Sequence, residues 1–184
     1  MSRPAAILKG QPGVATEPGL ATVSSKPARI VLAALRVVLG FYFVWAFVDK
    51  TFGFGFATPA ERAWINGGSP TTGYLSGVEG PFAGVFNAIA GAAWADWLFM
   101  AGLLGIGVAL TLGIGMRVAT ISGAVLYLLM WTVALPPANN PVLDDHVLGA
   151  ISMVVLLLTG AGATWGLGRT WSRTRLVRRQ AWLR

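Results

Sequence analysis

The chain has no cysteine, one histidine and few charges. Without cysteine there are no disulfides, no thiolate catalysis, no iron–sulfur ligation and no cysteine-based zinc site. The single histidine, His146, excludes bis-histidine haem within the chain. Charged residues make up 11% of the 184 positions, against roughly a quarter in an ordinary soluble domain. No Lys or Arg stands between Val118 and Gly168. Any redox cofactor would have to be held by other groups or shared with a partner.

What the chain has instead is apolar length. It is 55% hydrophobic, with a mean hydropathy of +0.65. Apolar windows of about 20 residues mark membrane helices. Four such windows, about 30–48, 97–114, 118–135 and 147–165, predict an all-α integral membrane four-helix bundle over 29–168. The net charge of +7 raises the question of nucleic acid. However, six of the 14 basic residues follow Gly168 and four precede Val31, which is a topology signal rather than a nucleic-acid stripe.

Residues 1–28 are rich in Pro, Gly, Ala, Ser and Thr and lack the basic-then-apolar order of a cleaved signal, so a disordered cytoplasmic tail is expected. The first apolar window carries one charge in its body, Arg36, and ends in Asp49-Lys50. Arg36 either snorkels to the headgroups or faces the bundle interior and pairs there. The long connection that follows holds Phe52, Phe54 and Phe56 and then a hydroxyl-rich turn with Thr71 and Thr72. Beyond Pro81, Phe82, Val85, Phe86 and Ile89 recur at i, i+3, i+4 and i+7, which predicts a short interfacial helix in this first outer loop. In the second window Ala101, Gly105, Ala109 and Gly113 form a small-residue stripe suited to close helix approach. Residues 169–184 form a basic tail whose Trp171, Leu176, Trp182 and Leu183 point to a surface segment on anionic lipid.

Counting Lys and Arg sets the orientation. With both termini cytoplasmic, the inner segments hold Arg3, Lys9, Lys26, Arg29, Arg117, Arg169, Arg173, Arg175, Arg178, Arg179 and Arg184, and the outer loops only Lys50 and Arg62. Under the positive-inside rule this is a multi-pass protein of the plasma membrane. Asp49, Lys50, Asp96 and the stretch Asn140-Pro141-Val142-Leu143-Asp144-Asp145-His146 then share the outer face, with Arg36 deeper and toward the inner leaflet. At the mouth of a membrane helix, two carboxylates and an imidazole need water, one another or a ligand. They also suit a solvated helix cap, where Asp stabilises by about 0.3–1 kcal/mol. Metal binding lacks further ligands at diagnostic spacing, so no metal is expected.

These pieces together resemble the DoxX/DoxD family, especially the DoxD-like branch. The matching stretches are Arg36–Lys50 (R-V-V-L-G-F-Y-F-V-W-A-F-V-D-K), Gly67–Leu75 (G-G-S-P-T-T-G-Y-L) and Gly113–Ala119 (G-I-G-M-R-V-A). Asn140–His146 (N-P-V-L-D-D-H) and Gly160–Trp171 (G-A-G-A-T-W-G-L-G-R-T-W) match as well. The resemblance spans Arg29 to Trp171. It implies the small membrane subunit of a thiosulfate:quinone oxidoreductase. One departure is that the region around Ala101 to Leu103 is apolar where many relatives carry a glutamate, so no role of that acid carries over.

On this reading the quinone is a substrate and must take up two electrons and two protons. His146 is the expected proton relay, because imidazole exchanges its proton near neutral pH. Asp144 and Asp145 orient it or carry the next proton. Arg36, Lys50, Asp49, Thr71 and Thr72 are expected to bind the quinone or the anionic substrate. The expected partners are the lipid bilayer, the quinone, a larger subunit or soluble redox protein, and possible further copies of the chain, with no haem. The alternative is a non-catalytic anchor or assembly partner for a soluble redox protein. A transporter is disfavoured because the helix interiors carry only Arg36.

Overall fold

The computed structural model describes residue 21 and residues 23–183. Most of the N-terminal tail, with Arg3 and Lys9, lies outside the described residues, as does Arg184. The described residues form helices and connecting turns, with no strand among them.

Helix α1 spans Lys26–Phe52. It starts about one turn earlier than its apolar pattern does, because Ser25 caps it by accepting from the Ala28 N–H and a proline occupies its first turn. It stops at Gly53, whose φ of 69° is left-handed and lets its N–H close on the Asp49 carbonyl. The long connection then holds two short 3-10 turns, α2 at Thr72–Leu75 and α3 at Ala83–Ile89. Helix α3 is the short helix that Phe82, Val85, Phe86 and Ile89 predict, with Phe82 and Val85 exposed.

Helices α4 (Ala93–Leu112), α5 (Met116–Val133) and α6 (Asp145–Leu158) complete the apolar set. Three helices, α1, α4 and α5, are long and apolar enough to cross a membrane. The fourth, α6, has 14 residues, or about 21 Å. It ends at Leu158 rather than running to 165. Gly160 turns left-handed there, and Ala161–Ala163 tighten into a 3-10 turn.

The four apolar helices pack as antiparallel neighbours. α1 lies on α4 and α5 on α6, and the two pairs meet along α4 and α5. The α1–α4 contact is a mutual glycine approach. A Cβ on Gly40 would sit 2.7 Å from the Thr111 nitrogen, and one on Gly107 would sit 2.8 Å from the Val44 nitrogen. Close approach to α1 thus runs through Gly107, which is outside the expected stripe of Ala101, Gly105, Ala109 and Gly113; of that stripe Gly113 makes a close approach, to Gly162, where a Cβ would sit 2.8 Å from the carbonyl oxygen. Ala101 and Gly105 lie on the outer surface of α4. Phe43, Met100, Leu103, Ile106, Leu110, Tyr127, Met153 and Leu156 fill the core. Val31, Val38, Leu98, Ile121, Val125, Leu148 and Ile151 face outward, as a lipid-facing belt requires.

Antiparallel packing sorts charge to the two ends. The described acids, Asp49, Glu61, Glu79, Asp96, Asp144 and Asp145, all fall at the end where α1 finishes and α6 begins. Lys26, Arg29, Arg117, Arg169, Arg173, Arg175, Arg178 and Arg179 fall at the other. The basic tail is folded there, into α7 (Gly168–Ser172), α8 (Arg175–Arg179) and a last 3-10 turn. Val177 is fully buried, the Trp171 indole donates to the Leu183 carbonyl, and Arg117 donates to the Ala181 carbonyl.

The glycine contact predicts a contrast between neighbouring positions. Gly107→Val should lower the melting temperature in detergent by the equivalent of roughly 1–3 kcal/mol or more, because neither facing backbone can yield. Gly105→Val, with open space at its Cβ, should change it little. Equal shifts at the two positions would contradict the packing.

Candidate functional site

At the acidic end, the loop before α6 is shaped by its own side chains. Asn140 Oδ1 accepts from the Val142 and Leu143 N–H groups, both at 2.9 Å. The Trp131 indole donates to the Val142 carbonyl at 2.8 Å and ties the loop to α5. Asp144 then caps α6 in an extended conformation, its Oδ1 accepting from His146 N at 3.1 Å and Val147 N at 3.3 Å. Its other oxygen, Oδ2, lies 2.7 Å from His146 Nδ1. The cap and the imidazole partner are therefore the same carboxylate.

That bond sets the chemistry of the ring. With the proton on Nδ1 directed at Asp144, Nε2 is left as the nitrogen available to a ligand or to water. Burial pushes the Asp144 carboxyl up, but the His146 hydrogen bond, the Val147 and His146 amides and the imidazole charge hold it below its ordinary value. Asp145 is open to solvent, with its nearer oxygen 3.7 Å from Nδ1. The three residues lie close enough to share an ion. Asp144, however, already has one oxygen on backbone amides and the other on the imidazole.

The structure adds residues that the sequence reading did not assign to the site. Tyr127 of α5 is buried with its ring 6.2 Å from that of His146. It rests against Gly149, where a Cβ would meet the Tyr127 ring at 2.7 Å. On its other side it meets Phe43 of α1 edge-on at 5.2 Å. Tyr127 also interacts electrostatically with Tyr42 of α1 and with Asp145. Tyr74 of α2 is pushed up by burial first and then by Asp144, Asp145 and Tyr42. Tyr74 and Tyr127 thus stand by the His146 cluster, and Tyr42, on α1, stands by those two tyrosines. Among the described residues none of their hydroxyls is hydrogen-bonded. Their rarity beside nine phenylalanines was the available signal.

The other expected site residues go elsewhere. Lys50 is at the acidic end but lies over the Phe99 ring of α4, 5.8 Å from its centre. Asp49 is 1% exposed, and its two oxygens accept from Phe56 N at 3.4 Å and Ala57 N at 3.0 Å, pinning the turn after α1. Thr71 is buried against Asp96. Its hydroxyl donates to Asp96 Oδ1 at 2.6 Å, its N–H at 3.0 Å, and the Ser69 hydroxyl joins the same oxygen at 2.9 Å. Thr72 is exposed and opens α2, its N–H on Ser69 Oγ at 3.1 Å. Asp49 and Thr71 are therefore loop organisers. The Asp96–Thr71 knot fixes α2 and with it Tyr74.

Arg36 is at the opposite end and does not join this group. It is fully buried, and its guanidinium donates to the carbonyls of Leu110 and Thr111 at the end of α4 and of Thr164 and Trp165 beyond α6. Pairing with carbonyls rather than a carboxylate or the headgroups answers the question the sequence left open. Trp165, at a φ of 49°, is a left-handed residue without a glycine's freedom, and its carbonyl is held by Arg36 at 2.9 Å.

The Asp144 cap predicts a pH effect with a definite sign. A carboxyl held below its ordinary value stabilises the fold fully above that ordinary value and loses its contribution as pH falls through the depressed one. Asp144→Ala should cost about 0.5–2 kcal/mol at pH 7. The wild type should approach the variant in melting temperature as the pH drops below about 4. A constant gap across that range would contradict the assignment.

Compared with protein-family models, curated proteins and solved structures, the chain matches none of them.

Proposed function

We propose that the chain is a DoxX/DoxD-like four-helix membrane subunit of a quinone-linked oxidoreductase acting on a reduced sulfur compound such as thiosulfate. In this reading the acidic end faces outward and the basic end lies in the cytoplasm of a plasma-membrane protein, following the charge sorting of the fold. The reading is carried by the Asp144-held His146, whose Nε2 is left free with Tyr127 against the ring and Tyr74 near the same acids.

A quinone at this end of the fold needs donors at its carbonyl oxygens and a route for protons from water. The phenols of Tyr42, Tyr74 and Tyr127 are such donors. His146 passes protons through Nε2 while Asp144 keeps Nδ1 in place and stabilises the ring when it is cationic. Asp145, open to solvent, reloads it. The balance is two thiosulfates joined by a new S–S bond into tetrathionate, releasing two electrons, which reduce the quinone as it gains two protons. This chain's residues handle the protons. The electrons come through a larger subunit or soluble redox partner, because with no cysteine and one histidine the chain has neither thiolate nor bis-histidine ligation for a redox centre.

One observation favours the alternative of a non-catalytic anchor or assembly partner. Ala101, Gly105 and Ala109 border an open groove between α4 and α5, of the kind another helix enters, whether from a partner subunit or a second copy.

Activity separates the two. His146→Ala and Tyr127→Phe should insert normally and lower thiosulfate-dependent quinone reduction, the first by about 10²-fold or more. Full activity in correctly inserted His146→Ala protein would leave the anchor reading.

A further inference from the structure

The end of α1 carries an aromatic surface that the quinone reading does not use. Past Gly53 the chain turns back along the helix instead of leaving it. The Phe54 ring stacks on Trp45 at 6.1 Å and 19°, and the Phe56 ring meets Trp45 edge-on at 5.2 Å. Trp45 stands about two turns, or roughly 10 Å, before the end of α1 at Phe52. Phe41 stacks on Trp45 at 6.2 Å, and Phe52 lies 5.9 Å from Phe54. Phe41, Phe52, Phe54 and Phe56 are all exposed, and Phe56, at 77%, is the most exposed large apolar side chain among the described residues. Polar groups are turned off this surface. No charged residue occurs in 51–60, Lys50 lies over Phe99 of α4, the Thr51 hydroxyl donates to the Phe47 carbonyl at 2.7 Å, and Thr58 is buried.

A turn folded back along a membrane-spanning helix brings irregular backbone to the edge of the bilayer. Lipid offers its N–H groups no acceptor, so they must be paired within the protein. The Gly53 N–H goes to the Asp49 carbonyl at 2.7 Å, and that of Gly55 to the Thr58 carbonyl at 3.0 Å. The Asp49 carboxylate takes those of Phe56 and Ala57. Gly55, at a φ of 84°, supplies a left-handed step within the reversal. A buried carboxylate at the end of a membrane helix is costly unless it has donors of this kind. Here it frees the turn from any need of water.

We propose that residues 52–57 form an aromatic wedge seated in lipid, at the boundary of headgroups and acyl chains in the leaflet at the acidic end. The level fits. Helix α1 is one of those long and apolar enough to cross a membrane, and its 27 residues extend about 40 Å. That exceeds the roughly 30 Å of hydrocarbon, so its last turns lie where aromatic rings concentrate. The chemistry fits as well. A contiguous patch of exposed phenylalanines is unfavourable in water. A protein interface carries about one hydrogen bond per 100–200 Å², whereas the amides and hydroxyls named here are already spent within the chain. Lipid asks for none. The seat depends only on α1 crossing a bilayer and is independent of the quinone reading.

The chain has no cysteine, so a single one can be introduced and spin-labelled in the full-length protein. Ala57→Cys reports on the turn and Glu61→Cys on the chain just beyond it, both at exposed positions. In phosphatidylcholine nanodiscs the label at 57 should be relaxed severalfold more by lipid-soluble oxygen than by a water-soluble nickel chelate. The label at 61 should show the reverse. Adding Asp49→Ala should raise chelate access at 57 severalfold, because the Phe56 and Ala57 amides lose their acceptor. Should that variant fail to insert, Phe54→Ser/Phe56→Ser is expected to have the same effect. Equal chelate access at 57 and 61 would overturn the proposal and put the turn in water. Low access of both reagents at 57 would overturn it too, with a protein partner or a second copy covering the surface. So would unchanged readings at 57 in the inserted variants.

Discussion

The buried guanidinium of Arg36 is the interaction on which the basic half of the fold depends. A lone cation inside an apolar bundle is costly, and here its charge is spread over carbonyls from two places distant in sequence. Those carbonyls stand at the end of α4 and beyond α6, where helical partners run out, and only that of Leu110 also accepts a backbone N–H, from Gly113 at 3.2 Å. One side chain on α1 therefore ties two frayed ends together through its two Nη atoms. It also accounts for the crowding of glycines around it, since Gly113 and Gly166 approach the guanidinium too closely to carry a side chain without movement.

With that end locked, the opposite end is where the described residues keep their acids. Buried carboxylates there are used in two ways. Asp49 and Asp96 are consumed by backbone amides and hydroxyls and hold the long connection in shape. Asp144 also accepts amides, but it additionally steers an imidazole whose far nitrogen stays open. The difference between scaffold and site is thus whether the polar partners close on themselves or leave an atom unspent. By that criterion the His146 cluster is the group at this end that leaves an atom unspent, and the proposed function is placed there for that reason.

Much of this was legible in the sequence. Apolar windows locate α1, α4 and α5, because length and hydropathy are one-dimensional properties, and the heptad-like spacing after Pro81 locates α3. The end of α6 was not legible, because Thr159-Gly160 reads as a continuing apolar run until the backbone turns left-handed. In the site, Asp144, Asp145 and His146 are neighbours in sequence and so were found together. Tyr42 and Tyr127 reach them only through the packing of α1, α5 and α6, which no local pattern encodes. The same limit applies to Arg36, assigned to a ligand because its partners are carbonyls, which a sequence does not distinguish. It applies to Gly107 too, whose facing residue on α1 is decided by helix rotation.

The central claim is that a quinone headgroup sits among Tyr42, Tyr74, Tyr127 and His146. The most direct measurement is photolabelling of the protein in native membranes with an azido-quinone, followed by mapping of the modified peptides. The account predicts labels on the stretches carrying those four residues, suppressed by excess unmodified quinone. Suppressible labelling confined to the α4–α5 groove around Gly105, with none near His146, would contradict it.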